Sequence, residues 1–340
     1  MSIISPKERL IRVLHKKKVD RPPVVCPGGM MNAAIVDVMN ETGHTLPEAH
    51  HDEKLMAELS RDVHEYTGFE NFGMPFCMTV EAEVLGSEID FGTLACEPKI
   101  KKEAFASAAS VDYKDIKKVL KSGRIETVVQ ACHRLSKSFP DVPVIGNLTG
   151  PISTAASIVD PMTFLKELRK DKANAHRTID YVTDFLIEYA KLLIDNGASS
   201  ISIGDPTATG EILGPKMFEE YAVRYLNKLI KGIRSLNAPV IVHICGDISS
   251  VKHLIAQIGS DAISTDALVN LRLLKEEFPS LTTMGNLSTY LLQFGTPDKI
   301  STHTRRLMKD GIDIIAPACG LSTSSSLENI QAMTNTVKEQ

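Results

Sequence analysis

The segment VPVIGNLTGP, residues 142–151, shows the pattern on which the fold of this chain is built. It is a short, almost continuous apolar run that stops at Thr-Gly-Pro, and a helical pattern occupies residues 161–196 beyond it. Strands that are buried on both faces of a parallel sheet have continuous apolar sequences of this kind. The segment therefore predicts a strand followed by a helix, which is one βα unit.

The same pattern of strand and helix recurs toward the C-terminus. A helical pattern follows each of the short apolar runs at residues 199–204, 240–245, 262–265, 281–284 and 312–315. Two less regular strands, within residues 19–29 and 70–79, precede the series. Together these repeats predict an α/β fold of the (β/α)8 TIM-barrel type.

We expect one domain over residues 1–340, with two additions to the barrel. Residues 5–17 have the amphipathic pattern of an N-terminal helical extension. The uneven segment 81–100, in which glycines separate short apolar runs, predicts a small β-hairpin or lid insertion. No Gly-x-Gly-x-x-Gly follows a strand, which argues against a dinucleotide-binding fold.

The composition indicates a soluble globular protein. Apolar residues make up 43% of the chain and charged residues 24%, and the net charge of −4 gives no reason to expect a nucleic-acid partner. No apolar run approaches the roughly 18 residues that a membrane span needs. The first residues lack the apolar core of a signal peptide, so we expect a cytoplasmic protein with no membrane partner.

The segment VIVHICGD, residues 240–247, carries a candidate metal site. Residues two apart in a strand point to the same face, so His243 and Cys245 would project side by side. Imidazole and thiolate suit zinc, and Cys319 offers a third ligand from the end of another apolar run. Because barrel active sites lie at the C-terminal strand ends, we predict one zinc ion with an open position there. A buried imidazole bonded to the backbone beside two inert thiols would fit the same pattern.

Carboxylates at other strand ends could complete this site. Asp266 is the preferred fourth ligand and Asp205 its rival, although either could instead cap a helix or accept loop amides. Asp247 could lie behind the ligands and orient the imidazole of His243. The six cysteines contain no CxxC pair, and scattered cysteines in a large cytosolic chain argue against a disulfide framework.

The ligand set also narrows the chemistry. Two thiolates reduce the charge of the ion, so it would be a modest Lewis acid for activating water. It would still bind an incoming thiol as thiolate, because coordination deprotonates thiols. We therefore expect alkylation of a thiol rather than hydrolysis.

Several short segments resemble the uroporphyrinogen decarboxylase superfamily. They are residues 10–14, 19–24, 146–151, 204–206, 285–287 and 295–297. The resemblance covers essentially the whole chain and implies a (β/α)8 barrel. Uroporphyrinogen decarboxylases carry an Arg-Gln-Ala-Gly-Arg motif after the first strand, whereas this chain has CPGGMM at residues 26–31. Without those arginines, decarboxylation of a porphyrin is not expected.

His243-x-Cys245 with Cys319 resembles the methylcobalamin:coenzyme M methyltransferases of methanogens, a branch of this superfamily, and those of the methanol pathway in particular. That resemblance implies a zinc ion that holds coenzyme M as thiolate. The thiolate then attacks the methyl group of methylcob(III)alamin, which a separate methylated corrinoid protein presents. The zinc site also resembles that of cobalamin-independent methionine synthase, in which a Glu falls where Asp266 stands.

Substrate contacts and the methyl acceptor stay open. A helix N-terminus or glycine-rich loop could bind the sulfonate of coenzyme M, and Thr149-Gly150 and Gly285-Asn286 are candidates. Thr149, Asn286 and Asp205 are accordingly predicted to bind substrate. The acceptor could instead be another thiol or tetrahydrofolate, or the chain could be a non-catalytic tetrapyrrole-binding barrel with structural zinc.

Overall fold

A computed structural model describes residues 4–339 of the chain. Its strands are β1 Phe72–Met74, β2 Glu88–Asp90, β3 Lys99–Lys102, β4 Val144–Thr149, β5 Ser200–Gly204, β6 Val240–Ile244, β7 Ala262–Thr265, β8 Thr283–Leu287 and β9 Ile314–Pro317. Seven of them form one parallel sheet in the order β1-β4-β5-β6-β7-β8-β9, and β2 pairs with β3 in a separate antiparallel hairpin.

Helices surround the sheet and extend the chain at its N-terminus. The α-helices are α1 Pro6–Leu14, α2 Val36–Thr42, α3 Glu53–Thr67, α4 Val80–Leu85, α5 Ile116–Val119, α6 Ile125–Ser138, α7 Pro151–Ile158, α8 Pro161–Lys170, α9 Lys172–Asp195, α10 Gly210–Met217, α11 Arg224–Arg234, α12 Lys252–Ile255, α13 Leu271–Glu277, α14 Thr289–Phe294, α15 Pro297–Lys309 and α16 Leu327–Lys338. A π-helical segment, Phe218–Val223, connects α10 to α11.

Residues 23–26 close the sheet into a barrel. On one side, Val25 donates its backbone N–H to Ile315 O of β9 (3.0 Å), and Ile315 donates to Pro23 O (2.9 Å). On the other side, the N–H of Glu70, just before β1, donates to Val24 O (2.8 Å). With this short eighth strand between β9 and β1, the predicted (β/α)8 barrel is confirmed.

The side chain of Asn71 completes the closing ladder where the backbone does not. Its Oδ1 accepts the backbone N–H of Cys26 (2.9 Å), and its Nδ2 donates to Cys26 O (2.8 Å). Both residues are buried. One amide side chain therefore satisfies both buried backbone groups of Cys26, as a paired strand would.

The predicted insertion at residues 81–100 differs from the structure in its bounds. Residues 80–85 form helix α4, and the β2–β3 hairpin follows over residues 88–102. The hairpin contacts loops at the C-terminal ends of the barrel strands. Thr323 donates its hydroxyl to Ala95 O (2.8 Å), and Asn32 Nδ2 donates to Glu97 Oε1 (3.1 Å).

Two predicted helices also differ in extent. After the apolar run 199–204, the sequence pattern predicts a helix over residues 215–236; in the structure it begins earlier, at Gly210, but Gly214 (φ 66°) interrupts it before Pro215. After the run 240–245, the pattern predicts a helix over residues 249–258; in the structure it is a single turn, Lys252–Ile255. Hydrogen-bonded turns flank that single helical turn, for example from Leu254 N to Val251 O (2.8 Å) and from Ile258 N to Ile255 O (3.0 Å). An apolar pattern predicts which residues are buried, but it does not distinguish consecutive turns from a regular helix, nor does it reveal a left-handed residue.

His50 is a buried titratable residue in the segment between α2 and α3. Neither of its ring nitrogens has a hydrogen-bond partner within residues 4–339. Burial lowers the pKa of His50 to about 3, so the folded protein keeps this ring neutral. The unfolded chain takes up a proton below about pH 6.5, and stability is therefore lost as the pH falls below that value.

Replacing Asn71 by Ala should destabilise the protein by about 2–4 kcal/mol, because it leaves two buried backbone groups of Cys26 unpaired. Equilibrium unfolding in urea measures the change. The exposed Asn40, replaced in the same way, is the control and should stay within about 0.5 kcal/mol of the wild type. A loss no larger than that for Asn71→Ala would show that the side chain does not close the barrel.

Replacing His50 by Leu should flatten the pH dependence of stability. Between pH 6.5 and pH 5 the wild type should lose about 1.6 kcal/mol more unfolding free energy than the variant, because the unfolded imidazole is half protonated at pH 6.5 and the slope rises toward about 1.4 kcal/mol per unit below it. Urea unfolding at a series of pH values measures both slopes. The exposed His303→Leu variant should keep the wild-type slope, and equal slopes for His50→Leu and wild type would contradict the assignment.

Candidate metal centre

Three predicted ligands converge at the C-terminal end of the barrel. His243 belongs to β6, Cys245 follows that strand directly, and Cys319 lies two residues beyond β9. The two Sγ atoms are 3.9 Å apart. One ligand atom from each of the three residues lies within 4.8 Å of the other two. The predicted His-Cys-Cys group is therefore assembled in the fold.

The imidazole of His243 is held so that one nitrogen stays free. Its Nδ1 lies 2.9 Å from Ser264 Oγ, on the neighbouring strand β7, where the two residues are in register. Nε2 is buried and has no hydrogen-bond partner among the described residues. An imidazole that binds metal through Nε2 carries its proton on Nδ1 and donates it to an orienting acceptor. Ser264 Oγ is that acceptor, and its own hydroxyl can turn to Met31 Sδ at 3.9 Å.

The two thiols are hydrogen-bonded to each other. The hydrogen bond from Cys245 lowers the pKa of Cys319, and the nearby His243 acts in the same direction. The same contact, together with burial, raises the pKa of Cys245. One thiolate therefore forms readily, whereas the second thiol keeps its proton until a cation displaces it.

These observations fit a zinc ion better than an inert buried cluster. An imidazole bonded to the backbone would not leave Nε2 unpaired in a buried position, where such a nitrogen costs free energy. One nitrogen and two sulfurs are a donor set that zinc prefers, and three protein ligands leave a position for another group.

Asp266 lies near this group without belonging to it. Its Oδ1 accepts the backbone N–H of Leu268 (3.1 Å), and its charge contributes to the raised pKa of Cys245. The three-residue group of close donors does not include it. Ligation by Asp266 stays a prediction.

Asp205 holds the start of helix α7. Its carboxylate accepts the N–H of Ile152 (3.0 Å), the N–H of Ser153 (2.8 Å) and the hydroxyl of Ser153 (2.6 Å). Burial raises its pKa to about 6. The structure gives this carboxylate the role of a helix-terminal acceptor, and any contact with substrate stays a prediction.

Thr149 and Asn286 likewise use their polar atoms within the protein. Thr149 donates its N–H and hydroxyl to the two carboxylate oxygens of Glu81, at 2.8 and 3.0 Å. Asn286 Nδ2 donates to Asp266 O and to Val269 O, both at 2.8 Å. These bonds tie neighbouring strand-end loops together, and the predicted substrate contacts of both residues stay predictions.

Asp247 does not orient the imidazole. It is exposed, and its Oδ1 accepts the N–H of Ser249 at 2.8 Å as well as that residue's hydroxyl. The prediction is corrected because Gly246 (φ 71°) turns the chain away from β6, whereas Ser264 stands beside His243 in the sheet.

Two further residues at this end of the barrel were missed from the sequence. Met30 places its Sδ 3.8 Å from Cys245 Sγ. Glu81 is fully enclosed, and burial raises its pKa to about 7. Ser264 was also missed, although the register of neighbouring strands could have revealed it. Met30 and Glu81 lie in segments whose pattern predicts only a turn and an insertion.

The loops that follow the barrel strands contain no cationic side chain. Neither Lys nor Arg occurs in residues 27–35, 75–79, 149–154, 205–211, 245–251, 266–270 or 318–326. The buried Arg124 packs nearby but is committed to Thr79 (2.9 Å), to Cys77 (3.3 Å) and to Glu83. A porphyrin with several carboxylates would find no counter-charge in these loops, which agrees with the missing arginine motif.

Comparison with known proteins identifies the family. A sequence profile described as uroporphyrinogen decarboxylase (URO-D) matches residues 5–340. The chain belongs to the URO-D family. Within it, the methylcobamide:CoM methyltransferase MtbA of Methanosarcina mazei is 33% identical over 99% of both chains. The methylcobamide:CoM methyltransferase MtaA of Methanosarcina barkeri is 30% identical over 98% of this chain and 97% of its own.

A solved structure agrees with these relatives. The structure of a methyltransferase from Methanosarcina mazei superposes with a TM-score of 0.92, at 29% identity and 99% coverage of both chains. This URO-D family member is thus a methyltransferase, which removes the alternative of a non-catalytic barrel. No helix within residues 4–339 is long and apolar enough to cross a membrane.

Replacing Ser264 by Ala should weaken zinc binding about 10- to 100-fold, because the imidazole loses the acceptor that sets its tautomer. Competition against a chromogenic chelator measures the affinity. Asp247→Ala is the matched control and should leave the affinity unchanged. If Asp247→Ala weakened zinc binding and Ser264→Ala did not, the assignment of Ser264 would be wrong.

Proposed function

We propose that this URO-D family member transfers a methyl group from a methylcobamide, carried by a corrinoid protein, to the thiol of coenzyme M. The observation that carries the proposal is the group of the buried His243 and the half-buried Cys245 and Cys319 at the C-terminal end of the barrel, in which His243 Nε2 has no partner among the described residues. A zinc ion bound there would lower the pKa of an incoming thiol and hold it as thiolate. The names of the two methanogen relatives support the choice of donor and acceptor.

The residues of the chain have separate tasks in this proposal. His243, held by Ser264, offers Nε2 as a donor, and the paired thiols of Cys245 and Cys319 supply negative charge that attracts the metal. The thiol of the acceptor releases its proton to solvent, and its sulfur forms a bond to the methyl carbon. The carbon–cobalt bond breaks, both electrons stay on cobalt, and cob(I)alamin and a thioether result.

The absence of cationic side chains from the loops after the barrel strands limits which groups can bind the sulfonate of coenzyme M. Coenzyme M is anionic, and the loops after the strands hold no Lys or Arg. Hydroxyl and backbone N–H groups must then bind its sulfonate. The segment GLSTSSS, residues 320–326, begins directly after Cys319 and is the richest in such groups. The N–H of Gly150, by contrast, already donates to Gly204 O (2.8 Å).

Loss of either thiol should abolish the site. Cys245→Ala and Cys319→Ala should each lose stoichiometric zinc and lower methyl transfer at least about 100-fold, while the circular dichroism spectrum stays that of a folded barrel. Zinc content by elemental analysis and turnover of methylcobalamin with coenzyme M measure the two effects. Cys96→Ala, at an exposed cysteine of the hairpin, is the control and should match the wild type. Full activity of zinc-free Cys245→Ala protein would refute the proposal.

The acceptor is tested by competition. Methylcobalamin is offered with coenzyme M, with homocysteine or with tetrahydrofolate, and formation of cob(I)alamin is followed by absorbance. Turnover with coenzyme M alone supports the proposal, whereas turnover only with tetrahydrofolate contradicts it. Zinc-edge X-ray absorption should change when coenzyme M is added, because its thiolate sulfur becomes a neighbour of the zinc.

A further inference from the structure

Met30 is presented to the thiols by a tight turn. Residues 28 and 31 exchange backbone hydrogen bonds, from Met31 N to Gly28 O (2.9 Å) and from Gly28 N to Met31 O (3.3 Å). Gly28 (φ 98°) and Gly29 (φ 56°) adopt backbone conformations that other residues avoid. A Cβ on either would lie within 2.8 Å of atoms of β1 or of Asn147, so the turn packs directly on the barrel.

This turn places Met30 beside both segments that carry the candidate cysteine ligands. Its Sδ is 3.8 Å from Cys245 Sγ. On the other side, its carbonyl oxygen is so close to Gly320, the residue after Cys319, that a Cβ there would come within 2.7 Å of it. Met30 therefore lies between the segments that carry the two cysteine ligands.

The sulfur distances match those around one tetrahedral ion. With bonds of about 2.3 Å from zinc to sulfur, two sulfurs on the same tetrahedron lie about 3.8 Å apart. The distance from Cys245 Sγ to Cys319 Sγ is 3.9 Å, and that from Cys245 Sγ to Met30 Sδ is 3.8 Å. Asp266, the carboxylate expected in this position, lies outside the close group and bonds Leu268.

We propose that Met30 Sδ is the fourth donor of the resting metal site and that the acceptor thiol displaces it. This inference rests on the proposed function. A thioether is neutral and a weaker donor than a thiolate, so it yields its place when the substrate sulfur arrives. The methylated product is also a thioether. Met30 therefore competes with the product for the same position and helps to release it.

The neighbouring Met31 provides a matched control. Its Sδ lies against the hydroxyl of Ser264, behind the imidazole, and not against the thiols. Met30→Leu and Met31→Leu each replace one unbranched apolar side chain by another of similar volume, a change that folded proteins tolerate well. In Met30→Leu the altered side chain faces the sulfur of Cys245, and in Met31→Leu it faces the hydroxyl of Ser264.

Selenomethionine labelling makes the fourth donor visible. In labelled, zinc-loaded protein without substrate, zinc-edge X-ray absorption should show one zinc–selenium shell. The shell should be absent in Met30→Leu, present in Met31→Leu, and lost from the otherwise unmodified protein when coenzyme M is added. Steady-state kinetics of Met30→Leu should show product inhibition by methyl-coenzyme M strengthened about fivefold.

The outcomes separate this inference from the proposed function. Stoichiometric zinc with no selenium neighbour in the resting protein overturns the role of Met30 and leaves the proposed function standing. A selenium shell that survives Met30→Leu assigns the donor to another methionine and also overturns it. A protein that binds no zinc at all overturns both the inference and the zinc-dependent function.

Discussion

Closure of the barrel is the constraint on which the metal centre depends. Cys245 follows β6 and Cys319 follows β9, and β7 and β8 separate these two strands. In a flat sheet, three strand spacings would hold their ends about 14 Å apart. The two Sγ atoms are nevertheless 3.9 Å apart, because the sheet curls and its ends project across the mouth. The hydrogen bonds of residues 23–26 and of Asn71 maintain that curvature.

The same closing segment leads directly into the turn of Gly28 and Gly29. It therefore performs two tasks: it joins β9 to β1, and it delivers Met30 to the sulfurs of the site. The arginine motif expected of the decarboxylases is absent from this segment, which holds Cys26, Met30 and Met31. Its sulfur atoms suit a soft metal, and it offers no cation to a carboxylate.

Many polar residues at the strand ends stabilise loops and do not contact the metal donors. Asp205 binds the first amides of α7, Thr149 binds Glu81, and Asn286 joins the loops after β7 and β8. Loops without such bonds would leave buried backbone groups unsatisfied. A polar residue at the end of a barrel strand is therefore weaker evidence of catalysis than a buried nitrogen, such as His243 Nε2, that has no partner among the described residues.

The sequence by itself determined the repeating strands and helices and the identity of the three candidate ligands. Both can be predicted from the apolar runs that end at His243-x-Cys245 and near Cys319. The alternation of side chains along a strand and the ligand preference of a soft metal depend only on residues close together in sequence. Tertiary structure alone decided the orienting role of Ser264, the exclusion of Asp247 and the approach of Met30. Those contacts join residues 21 to 215 positions apart, and their distances depend on sheet register and barrel closure, which no local pattern encodes.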